Sequence, residues 1–171
     1  LAEWGYNELG GADDIRMMVG GLPVSRRKNP LKYMVTWSVD GLINEYKDDC
    51  QILEDGELKI VKGMSGLEAV ECDTLGKLEA FYTSGGASHT IRSMKAKGVS
   101  NCYYKTLRYE GHRDIVRFLI ENQSEECVNP KKRPPKRVNR TIISKAIKMY
   151  PKYLTAFTMY PKLLLNASFY A

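Results

Sequence analysis

The stretch QILEDGELKIV, from Gln51 to Val61, decides the fold class of this chain. Two β-compatible runs flank Asp55-Gly56, and Asp-Gly in that position is a strong signal for a two-residue hairpin turn. Leu67 to Cys72 and Lys77 to Tyr82 continue the same pattern. We therefore predict an antiparallel sheet in which three or four consecutive strands form a meander.

The rest of the chain adds strands and helices without a regular βαβ alternation. β-rich runs predict strands over Ile15–Val19, Tyr33–Trp37 and Tyr103–Tyr109. Apolar residues at helical spacing predict helices over about 39–47, 87–96, 115–122 and 141–149. The predicted class is α+β, with a mixed, mostly antiparallel sheet and helices on one face.

The net charge of +6 on 171 residues is unevenly distributed. From Cys127 to Ala171 there are ten basic and no acidic residues, which leaves 16 basic against 20 acidic residues in the first 126. A basic field therefore comes only from the tail, and we predict no nucleic-acid or membrane partner for the body.

Other common classes of site are not indicated. The four cysteines form no CxxC pair and the chain has only two histidines, so no metal site is predicted. The sequence contains no signal peptide and no run of 18 apolar residues, which predicts a cytoplasmic protein. Because it opens without a start Met, we expect it to be a piece of something longer.

Motifs for cofactors and nucleophiles are also absent from the sequence. It contains no GxGxxG after an early strand, no GxxxxGK[ST], no HExxH and no GxSxG. A dinucleotide cradle needs a glycine-rich turn between a strand and a helix. We therefore assign no cofactor-binding residues and no catalytic residues.

Four blocks in a fixed order carry the strongest signal. They are Gly20-Gly21-Leu22-Pro23, Asn29-Pro30-Leu31-Lys32-Tyr33 with Trp37-Ser38, Gly76 to Gly86, and Lys105-Thr106-Leu107-Arg108-Tyr109-Glu110-Gly111-His112. Together these blocks closely resemble the C-terminal domain of the saccharopine dehydrogenase family, and those with Phe-Tyr-Thr and Leu-Arg-Tyr-x-Gly-His are most similar to its lysine 6-dehydrogenase branch. The resemblance covers roughly Gly20 to Asn122.

The resemblance implies a two-domain oxidoreductase in which a Rossmann domain, missing here, holds NAD or NADP. This chain would then cover the substrate, lysine or saccharopine, and build a homodimer. The implied reaction takes a hydride from the carbon next to the amine nitrogen, which gives an imine that water hydrolyses. The isolated chain is predicted to be inactive.

Five residues are candidates for substrate binding: Trp37, Phe81, Tyr82, Thr83 and Arg108. A forked guanidinium suits a carboxylate, aromatic rings suit an apolar stem, and hydroxyls suit the polar end. The alternatives are that Trp37 is a core residue and that Arg108 only pairs with a carboxylate such as Glu79.

Two further interpretations concern the same part of the chain. In a strand, either Phe81 or Tyr82 faces inward and the other outward. For His112, a capping or surface role competes with a role as proton carrier.

The predicted organisation has three parts. Residues 1–14 are a remnant of the connection from the missing domain, 15–126 form the substrate-binding and dimerisation domain, and 127–171 are a basic, Pro-containing tail. Sequence beyond about Met149 is expected to be foreign to the fold, the alternative being an arm that binds nucleic acid or an anionic membrane. The alternative function is a non-catalytic protein-interaction module with the same fold.

Overall fold

A computed structural model describes residues 2–23, 31–33, 38–85 and 87–122. The predicted strand through residues 34–37, the helix over 141–149 and the tail lie outside these residues. The helices are α1 (Ala2–Glu8), α2 (Val39–Lys47), α3 (Ser88–Ala96) and α4 (His112–Asn122). The strands are β1 (Asp14–Val19), β2 (Cys50–Glu54), β3 (Glu57–Val61), β4 (Glu68–Cys72), β5 (Gly76–Tyr82) and β6 (Asn101–Tyr109).

Strand β6 organises the sheet. It pairs in parallel with β1, antiparallel with β5, and antiparallel with β2 at Cys102. The strand order is β3-β2-β6-β5-β4, with β1 also on β6. The predicted meander is therefore wrong, because β6 separates the β2–β3 hairpin from the β4–β5 hairpin.

The turn after β3 explains this arrangement. Met64 and Gly66 have positive φ angles of +60° and +63°, which turn the chain away from β3. The Met64 amide donates to the Tyr82 carbonyl at 2.8 Å, and the Tyr82 amide donates to the Ser65 carbonyl at 3.0 Å. These two bonds tie the segment to the end of β5, so the next strand pairs with β5 and not with β3.

The predicted hairpin is confirmed. Strands β2 and β3 pair from Cys50↔Val61 to Glu54↔Glu57, which leaves Asp55-Gly56 as a two-residue turn. Both turn residues have positive φ, at +52° and +75°. This is the geometry of a type I′ turn, whose twist matches that of the strands it joins.

All four helices contribute to the core on one face of the sheet, called here the helix-covered face. One cluster joins α2 and α4 to Phe81, and the other joins α1 and α3 to β1, β2 and β6. A third, smaller cluster lies on the opposite face around Leu78, Leu107 and Tyr109. The fold is thus α+β with a mostly antiparallel sheet, as the sequence predicts.

Helix α1 was not predicted, since residues 1–14 were interpreted only as a connection. Ala2 is buried in the cluster around α3, and the Tyr6 hydroxyl donates to the Lys97 carbonyl at 3.2 Å. The helix spans only seven residues, too few for an apolar periodicity to be visible in the sequence. None of the described helices is long and apolar enough to cross a membrane.

Gly20 lies where β1 ends against β6. A Cβ atom at Gly20 would lie 2.8 Å from Leu107 Cβ and 3.0 Å from the Leu107 carbonyl oxygen, whereas one at Gly21 would meet nothing within 4 Å. Gly20→Ala is expected to lower the free energy of unfolding by about 1–3 kcal/mol through overpacking. Gly21→Ala is the matched control, with a change within about 0.5 kcal/mol. Urea denaturation measures both, and equal midpoints would contradict the close approach.

Candidate functional site

Arg108 lies on β6 beneath the helices and is only 5% exposed. Its Nε donates to the Tyr46 hydroxyl at 2.8 Å, and its Nη1 donates to the Leu107 carbonyl at 2.8 Å. The Tyr33 ring covers the guanidinium at 4.4 Å from its centroid. The guanidinium is thus held in one orientation by an aromatic face and two hydrogen bonds.

The hydrogen bonds continue from Tyr46 to His112. The Tyr46 hydroxyl lies 3.0 Å from His112 Nε2, and His112 Nδ1 lies 2.7 Å from the Leu31 carbonyl oxygen. A carbonyl only accepts, so Nδ1 carries the proton and Nε2 accepts from Tyr46. Since Arg108 can only donate, every bond in this chain runs in one direction, from Arg108 through Tyr46 and His112 to Leu31.

The charge states of Arg108, Tyr46 and His112 follow from the burial of their side chains. Burial, followed by the positive charge of Arg108, lowers the pKa of His112 to about 3. Burial also raises the pKa of Tyr46 far above its ordinary value, against the attraction of Arg108. At neutral pH Arg108 therefore carries the one formal charge of these three side chains. The surface interpretation of His112 is wrong, because its side chain is 1% exposed and holds two elements together.

Glu45 stands beside Tyr46 on α2. A Cβ atom at Gly85 would lie 3.0 Å from Glu45 Oε1, and the Ser84 amide donates to the Glu45 carbonyl at 3.0 Å. Burial raises the pKa of the Glu45 carboxyl, and the charge of Arg108 opposes this rise. The helix thus holds a half-buried carboxylate against the turn that follows β5.

Glu79 lies directly opposite Arg108 in the antiparallel register of β5 and β6, yet its carboxylate binds other groups. It accepts from the amide of Gly111 at 2.9 Å and from the amide of Arg113 at 2.6 Å. These are N-terminal amides of α4, where a carboxylate is favoured by the helix dipole. The alternative in which Arg108 merely pairs with Glu79 is therefore not what the structure shows.

The predicted substrate-binding residues separate into two groups. Arg108, Phe81 and Thr83 lie on the helix-covered face, where Phe81 packs edge-on against Tyr46 at 5.4 Å between ring centroids. Thr83 is buried and shares a 2.9 Å hydrogen bond with Thr106. Tyr82 lies on the opposite face, so the prediction that Phe81 and Tyr82 face opposite ways is confirmed. Trp37 lies outside the described residues.

Tyr82 belongs to a second polar cluster. Lys105 Nζ lies 3.2 Å from Glu68 Oε1 and over the rings of Tyr82 and Tyr103, at 4.8 and 5.1 Å. The structure therefore does not bring Tyr82 together with Arg108. A substrate role for Phe81, Tyr82 and Thr83 stays a prediction.

A cavity of about 20 Å³ lies next to the Tyr46–His112 pair. It has room for about one water molecule and none for an amino acid. Its lining is formed by Leu31, Tyr33, Leu42, Ile43, Tyr46, His112, Val116 and Leu119. Within the described ranges, no group of three or more His, Cys, Asp or Glu side chains is arranged to hold a metal ion.

Sequence reasoning missed Tyr33, Glu45 and Tyr46 as members of the site. Tyr46 was recognised only as part of the apolar face of α2, together with Leu42 and Ile43. A signal was available in the sequence, since a tyrosine predicted to be buried requires a hydrogen-bond partner for its hydroxyl. Which partner it finds depends on β6, which lies 62 residues further along the chain.

Fold and site together define a class of protein domain, an α+β domain whose sheet holds an oriented arginine beneath one layer of helices. The family model described as the saccharopine dehydrogenase C-terminal domain matches residues 5–159. This chain belongs to that family.

A solved structure supports the fold. Apo histidine-tagged saccharopine dehydrogenase (L-Glu forming) from Saccharomyces cerevisiae is similar to this chain, with a TM-score of 0.56 and 19% sequence identity. The similarity covers 68% of this chain and 27% of the yeast chain. This chain therefore spans about a quarter of the yeast enzyme's length, and at this identity the likeness shows the fold alone.

Proposed function

We propose that this chain is part of an NAD(P)-dependent oxidoreductase acting on the CH–NH group of lysine or saccharopine. Its role is to supply the substrate-binding and dimer-forming surfaces. The observation that carries the proposal is the buried, oriented guanidinium of Arg108. Family membership supports the reaction class, and the four sequence blocks support the lysine 6-dehydrogenase branch.

Arg108 has the properties that a carboxylate clamp needs. A guanidinium has five N–H donors, and the hydrogen bonds to described residues use two of its nitrogens, Nε and Nη1. Tyr46 and Tyr33 fix its plane in advance, which lowers the entropy cost of binding. A buried guanidinium is costly without an anion. In the described part of the chain no carboxylate forms an ion pair with it, and this supports a substrate carboxylate as its partner.

The nicotinamide cofactor is assigned to a separate domain. When bound, NAD or NADP supplies the hydride acceptor. Helix α4 follows β6 through Gly111, but Glu79 already occupies its N-terminal amides with a carboxylate. These residues do not fit a pyrophosphate, and the task left to this chain is to bind and orient the substrate.

The exposed strand β3 supports a contact surface. Leu58 and Ile60 lie on the same face of this strand, and Ile60 is 63% exposed. Apolar side chains on a sheet edge favour association with another chain. In our proposal that chain is a second copy in a homodimer. The same observation favours the second candidate, a non-catalytic protein-interaction module.

A cytoplasmic location belongs to the same proposal. Cys50 and Cys102 are buried free thiols. Unpaired cysteines are typical of reducing compartments.

The carboxylate clamp is tested by replacing Arg108. Arg108→Lys and Arg108→Met are expected to weaken binding of lysine and saccharopine by roughly 10-fold or more, since a charged hydrogen bond contributes about 1.5–3 kcal/mol. Arg108→Lys keeps the positive charge but loses the forked guanidinium. A loss of affinity in this variant therefore reports on the hydrogen-bond geometry and not on the charge. Isothermal titration calorimetry measures the affinities, and thermal unfolding confirms that each variant folds.

The matched control is Arg92→Met, which removes an exposed arginine from α3. It is expected to leave both affinities unchanged. Unchanged affinity for lysine and saccharopine in both Arg108 variants would refute the proposal that Arg108 binds the substrate carboxylate. For the parent enzyme, the deciding observation is a GxGxxG-bearing βαβ unit encoded upstream, because its absence would favour the interaction module.

A further inference from the structure

Arg108 is closed off from solvent in this structure. Its residue is only 5% exposed, and the Tyr33 ring lies over the guanidinium at 4.4 Å from the ring centroid. Leu31 and Tyr33 also line the neighbouring cavity of about 20 Å³, which has room for about one water molecule. A ligand larger than water therefore reaches Arg108 only after part of the chain has moved.

Among the elements around Arg108, the Leu31–Tyr33 segment gives up the least packing when it moves. Leu31 lies in a turn, and Lys32 and Tyr33 belong to neither a helix nor a strand. The segment contributes two buried residues, Leu31 and Tyr33, to the core cluster around Tyr46. Displacing α2 and α4 would instead separate the larger remainder of that cluster, formed by Leu42, Ile43, Tyr46, Phe81, Val116 and Ile120.

Lys32 stores backbone strain in the closed position. Its φ angle is +49°, in the left-handed region that a residue with a Cβ atom rarely adopts. Two hydrogen bonds hold the segment in place, from Lys32 Nζ to the Glu110 carbonyl at 2.8 Å and from His112 Nδ1 to the Leu31 carbonyl at 2.7 Å. Such strain persists only where the surroundings fix it, and its release favours movement of the segment.

We propose that the Leu31–Tyr33 segment is a gate over Arg108, closed in this structure and opening to admit an anionic ligand. The ligand's part in this inference rests on the proposed function, whereas the movement itself does not. Opening removes the Tyr33 ring from the guanidinium and leaves the bond from Arg108 to Tyr46, because Tyr46 lies on α2. Arg108 thus stays oriented while it becomes accessible. Since only open molecules bind, the apparent affinity is reduced by the open fraction.

Phenylglyoxal, which modifies accessible guanidinium groups, tests the movement on the full 171-residue chain without any substrate. Mass spectrometry of the peptides measures the rate at Arg108, with the exposed Arg92 as internal standard. We expect Arg108 to react at a rate that changes less than about 2-fold with urea below the unfolding transition, because a local opening exposes little new surface. A rate that rises with the full urea dependence of global unfolding would refute the gate.

Three variants show which contacts control the rate. Tyr33→Ala removes the covering ring and is expected to speed Arg108 modification about 10-fold or more. Lys32→Met removes only the bond to the Glu110 carbonyl and is expected to speed it about 2- to 10-fold. Ile120→Ala, the matched control, truncates a buried residue of the same cluster outside the cavity lining, and the rate is expected to stay within about 2-fold. Equal acceleration by Ile120→Ala and both segment variants would refute the gate.

Lysine binding separates the gate from the proposed function. Lys32→Met is expected to bind L-lysine more tightly by the same factor by which it speeds Arg108 modification. An unchanged affinity in this variant, despite faster modification, would refute the role of the segment in admitting the ligand. If Arg108 opens locally but neither lysine nor saccharopine binds, the movement stands and the proposed function fails. If either ligand binds while Arg108 reacts only through global unfolding, the gate is refuted and the proposed function stands.

Discussion

Acidification from pH 7 to pH 4 is expected to lower the free energy of unfolding by about 3 kcal/mol through His112 alone. In the unfolded chain this histidine takes up a proton below its ordinary pKa of 6.5, whereas in the folded chain it stays neutral down to about 3. The unfolded state therefore binds more protons in this window. Stability is fully present above pH 6.5 and is lost progressively as the pH falls to 3.

The measurement is urea denaturation at a series of pH values, compared with His112→Gln. A glutamine offers one donor for the Leu31 carbonyl and one acceptor for Tyr46, and it does not titrate. The difference in stability between the two proteins is expected to shrink as the pH falls, while His89→Gln, on the exposed surface of α3, leaves the pH dependence unaltered. Parallel curves for wild type and His112→Gln would contradict the buried neutral imidazole.

Phe81→Ala is expected to lower the free energy of unfolding by about 3–5 kcal/mol, because it opens a cavity in a closed cluster. Phe81 is fully buried, and its ring supports Tyr46 from the sheet side. Guanidinium denaturation measures the change. The loss also removes the support of the residue that orients Arg108, so lysine binding is expected to weaken in the fraction that stays folded.

Two controls accompany Phe81→Ala. Ile60→Ala truncates an apolar residue of β3 that is 63% exposed, and its expected effect is within about 0.5 kcal/mol. Tyr82→Ala, on the opposite face and half-buried, is expected to fall between the two. An effect of Tyr82→Ala larger than that of Phe81→Ala would show that the two faces of β5 have been exchanged.

Local signals in the sequence predicted the elements well and their arrangement less well. The Asp55-Gly56 turn and helices α2, α3 and α4 were predicted because turn chemistry and apolar spacing act over a few residues. The position of β6 between two hairpins was not predicted. Its partners extend from Asp14 to Tyr82, and pairing over such distances depends on the whole core.

In the candidate site, too, the sequence identifies individual residues better than it predicts their surroundings. Arg108 was identified from a resemblance, and its environment could not be predicted, because Tyr33 and Tyr46 reach it from other parts of the chain. His112 was misinterpreted for the same reason. Its place directly before an apolar helix suggests a surface position, and only the Leu31 segment packed on it makes it a buried residue.

The hydrogen bonds that run in one direction from Arg108 stabilise its positive charge. Each partner turns the negative end of its dipole toward the preceding donor, so the Tyr46 oxygen faces the guanidinium and His112 Nε2 faces the Tyr46 hydroxyl. At the far end the Leu31 carbonyl can only accept a hydrogen bond, so the direction of all the bonds back to Arg108 is fixed. Aligned neutral dipoles thus solvate the cation from within the protein, much as water would, and among the described residues they leave its formal charge uncancelled.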